Sequence, residues 1–208
     1  MIFGVVPAGG TSTRMGRPKL SLPFRGRTVL ECVLDALRLG GCDELLVVLG
    51  PQSADLEPLA SKAGVHRCVL PEQTPDMRTT VEVGLRWLEQ HLRPRDCDAW
   101  LLAPADHPTL DASVVQSLCK PFVARPDKSI VVPTYNGKRG HPVLLSWKHV
   151  RGVRNHPAGE GLNTYLRRQE PEVLELPVET PEVLTDLDTP EDYARLLEFC
   201  KAASGNGV

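Results

Sequence analysis

Short apolar runs rich in β-branched residues alternate along this chain with stretches whose apolar positions recur every three or four residues. That alternation predicts a mostly parallel sheet covered by helices on both faces, a three-layer, doubly wound α/β fold. Strands are expected at Ile2–Val6, Leu45–Leu49, His66–Leu70, Ala99–Ala103, Ile130–Thr134, Val143–Ser146 and Val173–Pro177. Between the first two, Thr28 and Glu31 form a capping box ahead of Val29, Val33, Ala36 and Leu37, which predicts a helix from about Thr28 to Leu39. The same signature recurs at Thr79 with Glu82, ahead of Val83, Leu85 and Leu88. It recurs again at Thr189, with Pro190 at the first helical position and Asp192 beyond it. The last helix would carry Tyr193, Leu196, Leu197 and Cys200 on one face, and the tail 202–208 has little to bury and is expected to be disordered. From Pro133 to Gly161 turn residues interrupt short strands, which reads as an insertion over the carboxyl edge of the sheet rather than as a separate domain. One domain over residues 1–201 is the expectation.

Composition narrows the partners. With 208 residues the chain suits one sizeable domain. Its 24 basic residues against 26 acidic ones leave a formal charge of -2, which removes the bulk attraction that nucleic-acid binding uses. No nucleic acid and no membrane is expected as partner: the start lacks the pattern of a secretory signal, and no apolar run approaches the roughly 20 residues needed to span a bilayer. Cys32, Cys42, Cys68, Cys97, Cys119 and Cys200 are scattered without a C-x-x-C pair, as suits a reducing, cytoplasmic setting.

The strongest chemical signal is the stretch from Pro7 to Lys19, Pro-Ala-Gly-Gly-Thr-Ser-Thr-Arg-Met-Gly-Arg-Pro-Lys, directly after a buried strand. In open parallel sheets ligands bind beyond the carboxyl ends of strands, where glycines let backbone N–H groups approach an anion. Gly9, Gly10 and Gly16 can do this, and Arg14 and Lys19 add a planar fork and a point charge for a polyphosphate. There is no Gly-Lys-Ser/Thr and no G-x-G-x-x-G, so neither a Walker loop nor a dinucleotide fingerprint is present. A solvated surface turn is the structural alternative.

A second buried strand runs into Pro104-Ala105-Asp106-His107-Pro108. A carboxylate there suits Mg²⁺, which takes one or two protein carboxylates plus phosphate and water oxygens, although an Asx turn beside Pro108 would also use Asp106. His107, without a second histidine at ligand spacing, reads as a packed side chain. In the run from Asp186 to Asp192, helix capping explains Thr189, Glu191 and Asp192 and leaves Asp188 as a second metal ligand, with Asp186 as the fallback.

The Pro7–Lys19 stretch resembles the signature loop of the MobA-like NTP transferases, which include molybdenum cofactor cytidylyl- and guanylyltransferases, and the resemblance runs from Phe3 to about Leu197 with the motifs in order. It implies a Rossmann-like nucleotidyltransferase fold, with Ala8, Gly9, Gly10 and Thr11 against the nucleotide and Arg14 and Lys19 on the triphosphate. It pairs the aspartate of a P-x-D-x-P-like turn, Asp106, with that of a D-x-D-T-P-E-D run, Asp188, around Mg²⁺. The family's G-M-S-S position reads Asp76-Met77-Arg78-Thr79-Thr80 here, so Thr79 and Thr80 keep the hydroxyls and Arg78 is an unexpected cation. Gly140-His141-Pro142 resembles the G-H-P turn that borders the acceptor, which implicates Arg139 and His141.

The implied reaction moves a nucleoside monophosphate from an NTP, CTP favoured, to a small phosphate-bearing acceptor such as molybdopterin. Pyrophosphate is released, and a molybdoenzyme or chaperone is the implied protein partner. Sugar-1-phosphate or molybdopterin guanylyl transfer are the enzymatic alternatives, and a nucleotide-sensing domain is the non-enzymatic one. Two departures bear on this. Gly159-Glu160-Gly161-Leu162-Asn163 stands where cytidylyltransferases carry G-D-x-G-A-R, so the arginine is missing. Ala8-Gly9-Gly10 is the guanylyl pattern, but the extra glycine after Met-Gly is absent.

Overall fold

A computed structural model describes residues 1–53, 55–125 and 127–205. In chain order the elements are β1 (Ile2–Ala8), β2 (Pro23–Phe24), β3 (Arg27–Thr28), α1 (Val29–Leu39), β4 (Glu44–Leu49), α2 (Glu57–Lys62), β5 (His66–Val69) and α3 (Met77–His91). They continue as β6 (Ala99–Leu102), α4 (Ala112–Ala124), β7 (Ile130–Tyr135), β8 (Lys138–Arg139), β9 (Val143–Ser146), α5 (Val150–Arg154), α6 (Leu162–Arg168), β10 (Val173–Pro177) and α7 (Pro190–Gly205). Among the described residues no helix is long and apolar enough to cross a membrane.

The main sheet has the order β10-β7-β9-β6-β1-β4-β5, with β8 paired to β7. Strands β5, β4, β1 and β6 are mutually parallel, β10 is parallel to β7, and β9 is antiparallel to both its neighbours. Successive residues of each strand feed opposite faces, as the two-residue period requires. Val6, Ala8, Val47, Leu49, Leu101 and Ala103 join α1, α4 and α7 on one side. Phe3, Val5, Leu46, Val48, Trp100 and Leu102 join α3, α5 and α6 on the other. The three-layer, doubly wound arrangement follows from that alternation.

Each of the seven expected strands is present with its ends within two residues. The capping box of α1 forms as its sequence implies: Glu31 N–H donates to Thr28 Oγ1, and Thr28 N–H donates to Glu31 Oε2 at 2.8 Å. Two expectations need correction. Helix α3 is capped by Asp76, three residues before Thr79, because Asp76 Oδ1 accepts from both Thr79 N–H at 2.7 Å and Thr79 Oγ1–H at 3.0 Å. Glu82, the expected other half of a box, faces Arg78 Nε at 3.2 Å instead. The stretch from Pro133 to Gly161 is no insertion over an edge: β9 lies inside the sheet, every residue of it buried between β6 and β7. Helix α7 extends to Gly205, past Lys201, and the end of the expected tail, 206–208, lies outside the described residues.

Candidate active site

The carboxyl ends of β1, β4, β5 and β6 lie on one edge of the sheet, and from β1 the chain winds to β4 and β5 on one side and later to β6 on the other. Such a reversal opens a crevice beyond the strand ends. A cavity of about 350 Å³ occupies it, lined by residues 7–14, 19–20, 73–77, 80, 104–106 and 188.

The glycine loop reaches this cavity as a folded unit. A 3-10 turn, Thr13–Met15, is flanked by Ser12 and Gly16 in left-handed conformations, and Met15 is buried as its anchor. The loop then returns so that Leu20 O accepts from Leu30 N–H in α1 at 3.0 Å, which delivers Lys19 inward. Gly10 has open space where a side chain would begin, so its backbone faces the cavity unobstructed.

Three distant parts of the chain meet on Lys19. Its Nζ donates to Asp106 Oδ2 at 2.6 Å and to Asp188 Oδ1 at 2.9 Å, while Arg14 Nη1 reaches Asp188 Oδ2 at 2.6 Å. Burial pulls the Lys19 pKa down, but the two carboxylates outweigh it and raise it above the ordinary lysine value, so the ammonium stays charged. Arg14 is 71 % exposed and Lys19 only 14 %, so the arginine is the cation free to follow a ligand.

Local capping and backbone stitching place Asp188. Asp192 Oδ2 accepts from Thr189 N–H at 2.9 Å and from Asp188 N–H at 3.2 Å, and Leu187 N–H donates to Asp106 O at 2.9 Å. Upstream, His141 N–H donates to Val183 O at 2.8 Å. A Cβ on Gly140 would lie 2.3 Å from that same oxygen, so only glycine permits the approach. The segment 183–188 is therefore a strap laid across both the 104–107 and 140–142 turns. Asp186 does not face Lys19; it lines a separate cavity with Thr109, Leu184 and Phe199.

His107 and His141 pack edge to face at 5.7 Å beside Asp106. Burial lowers both, His141 to about 4, so both rings are neutral near pH 7. Ser129 Oγ and His149 Nε2 make a further Ser–His contact at 2.7 Å, but both residues are 4 % exposed and Tyr165 OH occupies the other ring nitrogen, which makes it a packing network and no nucleophile.

Of the other expected contacts, Ala8, Gly9, Gly10, Thr11 and Thr80 line the cavity. Thr79 is spent on the α3 cap and does not line it. Arg139 stands apart, its guanidinium bound to Glu170 and Glu175 at 2.7 Å each, while His141 borders a neighbouring cavity. Residues that sequence reading missed are Gln73, whose Nε2 donates to Gly9 O at 2.7 Å, and Thr74, whose Oγ1 meets Thr80 Oγ1 at 2.5 Å. Their signal was position: they follow β5 on the same edge.

Among the described residues no three His, Cys, Asp or Glu side chains group as a metal cage. Asp106 and Asp188 could instead supply two of the hard oxygen ligands that a divalent ion takes alongside phosphate and water.

The profile of the MobA-like NTP transferase domain matches residues 4–173, which include Lys19 and Asp106 and stop short of Asp188. A nicotine blue oxidoreductase of Paenarthrobacter nicotinovorans is 27% identical over 94% of this chain and 96% of its own. The molybdenum cofactor cytidylyltransferase of Escherichia coli is 26% identical over 91% and 92%. Among solved structures, Rv0371c from Mycobacterium tuberculosis superposes with a TM-score of 0.81 at 29% identity, covering 95% of this chain and 98% of that one. A manganese complex of the same protein superposes with a TM-score of 0.75 at 28% identity over the same shares.

Proposed function

The chain belongs to the MobA-like NTP transferase family, and from that premise we propose that it transfers a nucleoside monophosphate from an NTP, CTP favoured, to a small phosphate-bearing acceptor such as molybdopterin. The observation that carries this reading is the meeting of Lys19 with Asp106 and Asp188, Arg14 alongside, at the mouth of the glycine loop. The alternative of a nicotinamide-dependent oxidoreductase finds no G-x-G-x-x-G turn here to receive a dinucleotide.

In the proposed reaction an acceptor phosphate oxygen attacks the α-phosphorus, the bond from that phosphorus to the β-bridging oxygen breaks, and pyrophosphate leaves. The acceptor phosphate has a second pKa of about 6 and is largely ionised at neutral pH, so it needs no general base. This suits a site whose two nearby histidines are neutral, His107 buried and His141 half-buried. Gly9 and Gly10 give the triphosphate close backbone contact, while Arg14 and Lys19 neutralise charge that builds on the leaving group. Asp106 and Asp188 would hold Mg²⁺, which when bound supplies Lewis-acid polarisation of the phosphates. NTPs and free thiols such as Cys42 and Cys68 belong to the cytosol, where this reading puts the chain, with a molybdoenzyme or its chaperone as recipient.

The test is melting with Mg²⁺ and each of CTP, GTP, ATP and UTP, followed by pyrophosphate release with molybdopterin or glucose 1-phosphate as acceptor. CTP should give the largest shift, and Asp106→Ala should lose on the order of 10²–10³ in turnover while remaining folded. Near-wild-type turnover in that variant would remove the aspartate from the mechanism. Four equal shifts would withdraw the preference for CTP, and nucleotide binding without pyrophosphate from any acceptor would favour a sensing domain.

A further inference from the structure

Next to the nucleotide cavity lies another of about 340 Å³, which shares Asp76 and Met77 with it and has mostly apolar walls. On one side it is bounded by His141, and on the other by the turn from α5 to α6 through Gly159, Gly161 and Asn163. A backbone hydrogen bond from Glu160 N–H to Pro157 O at 3.2 Å closes that turn, and side chains tie it to the rest of the fold. Arg78, the second residue of α3, has a side chain only 9% exposed. Its Nη1 donates to the carbonyl oxygens of His156 at 3.0 Å and Pro157 at 2.8 Å, while its Nε faces Glu82 at 3.2 Å. At the far end of the turn Arg168 Nη2 binds Glu160 Oε2 at 2.9 Å, and the His156 ring packs edge to face on Tyr165 at 5.6 Å.

We propose that Arg78 is a positioning residue for the acceptor: it clamps the backbone of 156–157 to the first turn of α3 and so fixes the wall of the cavity that receives the acceptor's body. The inference rests on the adjoining cavity being the nucleotide site. A planar guanidinium can engage two carbonyls and a carboxylate from one fixed point, whereas a lysine ammonium is a single centre and a methionine has no donor. With its Nη1 committed to two backbone carbonyls and the Glu82 carboxylate beside it, Arg78 shapes the cavity it also lines rather than binding the nucleotide.

Arg78→Met, Arg78→Lys and the double variant Arg78→Met/Glu82→Gln, which strands no carboxylate, are compared with wild type by amide hydrogen exchange over 158–163, Mg-CTP affinity and steady-state kinetics with molybdopterin and glucose 1-phosphate. Exchange and acceptor KM should rise by about tenfold or more in both methionine variants and by less in Arg78→Lys, with kcat and CTP affinity held within about threefold. Unchanged exchange overturns the clamp. Faster exchange with an unaltered acceptor KM overturns its role in acceptor positioning, and an equal loss of CTP affinity assigns Arg78 to the nucleotide instead. Wild type that turns over neither acceptor overturns the functional reading, a result separate from the exchange measurement that judges the clamp.

Discussion

Replacing Lys19 by methionine keeps the length of the stem and removes the ammonium that lies 2.6 Å from Asp106 and 2.9 Å from Asp188. Two carboxylates, 23% and 20% exposed, are then left with Arg14 as the cation paired to one of them. Breaking a fully buried pair costs about 3–5 kcal/mol; remaining solvent access and Arg14 reduce this to about 1–2 kcal/mol, or about 2–8 °C in melting temperature for a chain of this size. A divalent cation replaces the missing charge between the same two carboxylates. Millimolar Mg²⁺ or Mn²⁺ should therefore restore much of the lost melting temperature in Lys19→Met and raise that of wild type far less, where metal and ammonium compete. Turnover should still fall on the order of 10²–10³, because the cation proposed to neutralise the triphosphate is gone. Differential scanning fluorimetry with and without metal, alongside pyrophosphate release, reads both effects. A variant as stable as wild type without metal, or one that gains no more from metal than wild type does, would refute the reasoning.

Gly140→Ala places a methyl 2.3 Å from Val183 O; overpacking of about 1–3 kcal/mol should lower the melting temperature, and pyrophosphate release should drop because the strap carrying Asp188 shifts. Asp76→Ala removes the α3 cap and should cost about 1 kcal/mol at pH 7 in urea unfolding. The Thr79 N–H holds the Asp76 carboxyl below the usual aspartate range, so its contribution is full above the unfolded value of about 3.9 and is lost as pH falls through the lower folded value; the variant should lack that part of the acid-side decline. Gly10→Ala points a methyl into open space, so melting without ligand should stay within about 0.5 kcal/mol of wild type while calorimetry shows weaker NTP binding; unchanged affinity would place the nucleotide elsewhere.

What the chain's own pattern revealed was local. The strand-loop unit from Ile2 to Lys19 is written in consecutive residues, and so are the box at Thr28–Glu31 and the cap at Thr189–Asp192. Partners far away in sequence were not legible. Arg139 advertised a charge, but Glu170 and Glu175, which take it, lie 31 and 36 positions on. Val143–Ser146 read as a strand, yet its seat between β6 and β7 is a matter of long-range pairing. The capping pattern favoured Asp188 over Asp186, but what brings Asp188 to Lys19 is long-range: Leu187 N–H is hydrogen-bonded to Asp106 O. At α3 the sequence pointed to Thr79 and Glu82, yet Asp76 caps the helix and Glu82 faces Arg78, a pairing the local pattern did not display.

The strap across the 104–107 turn also sets a timetable. Asp188 stands 169 positions after the lysine it meets, so a chain emerging from the ribosome displays its glycine loop and first carboxylate long before the second exists. On the proposed function, nascent protein can thus form most of its sheet before a much later segment completes the carboxylate pair that the chemistry needs.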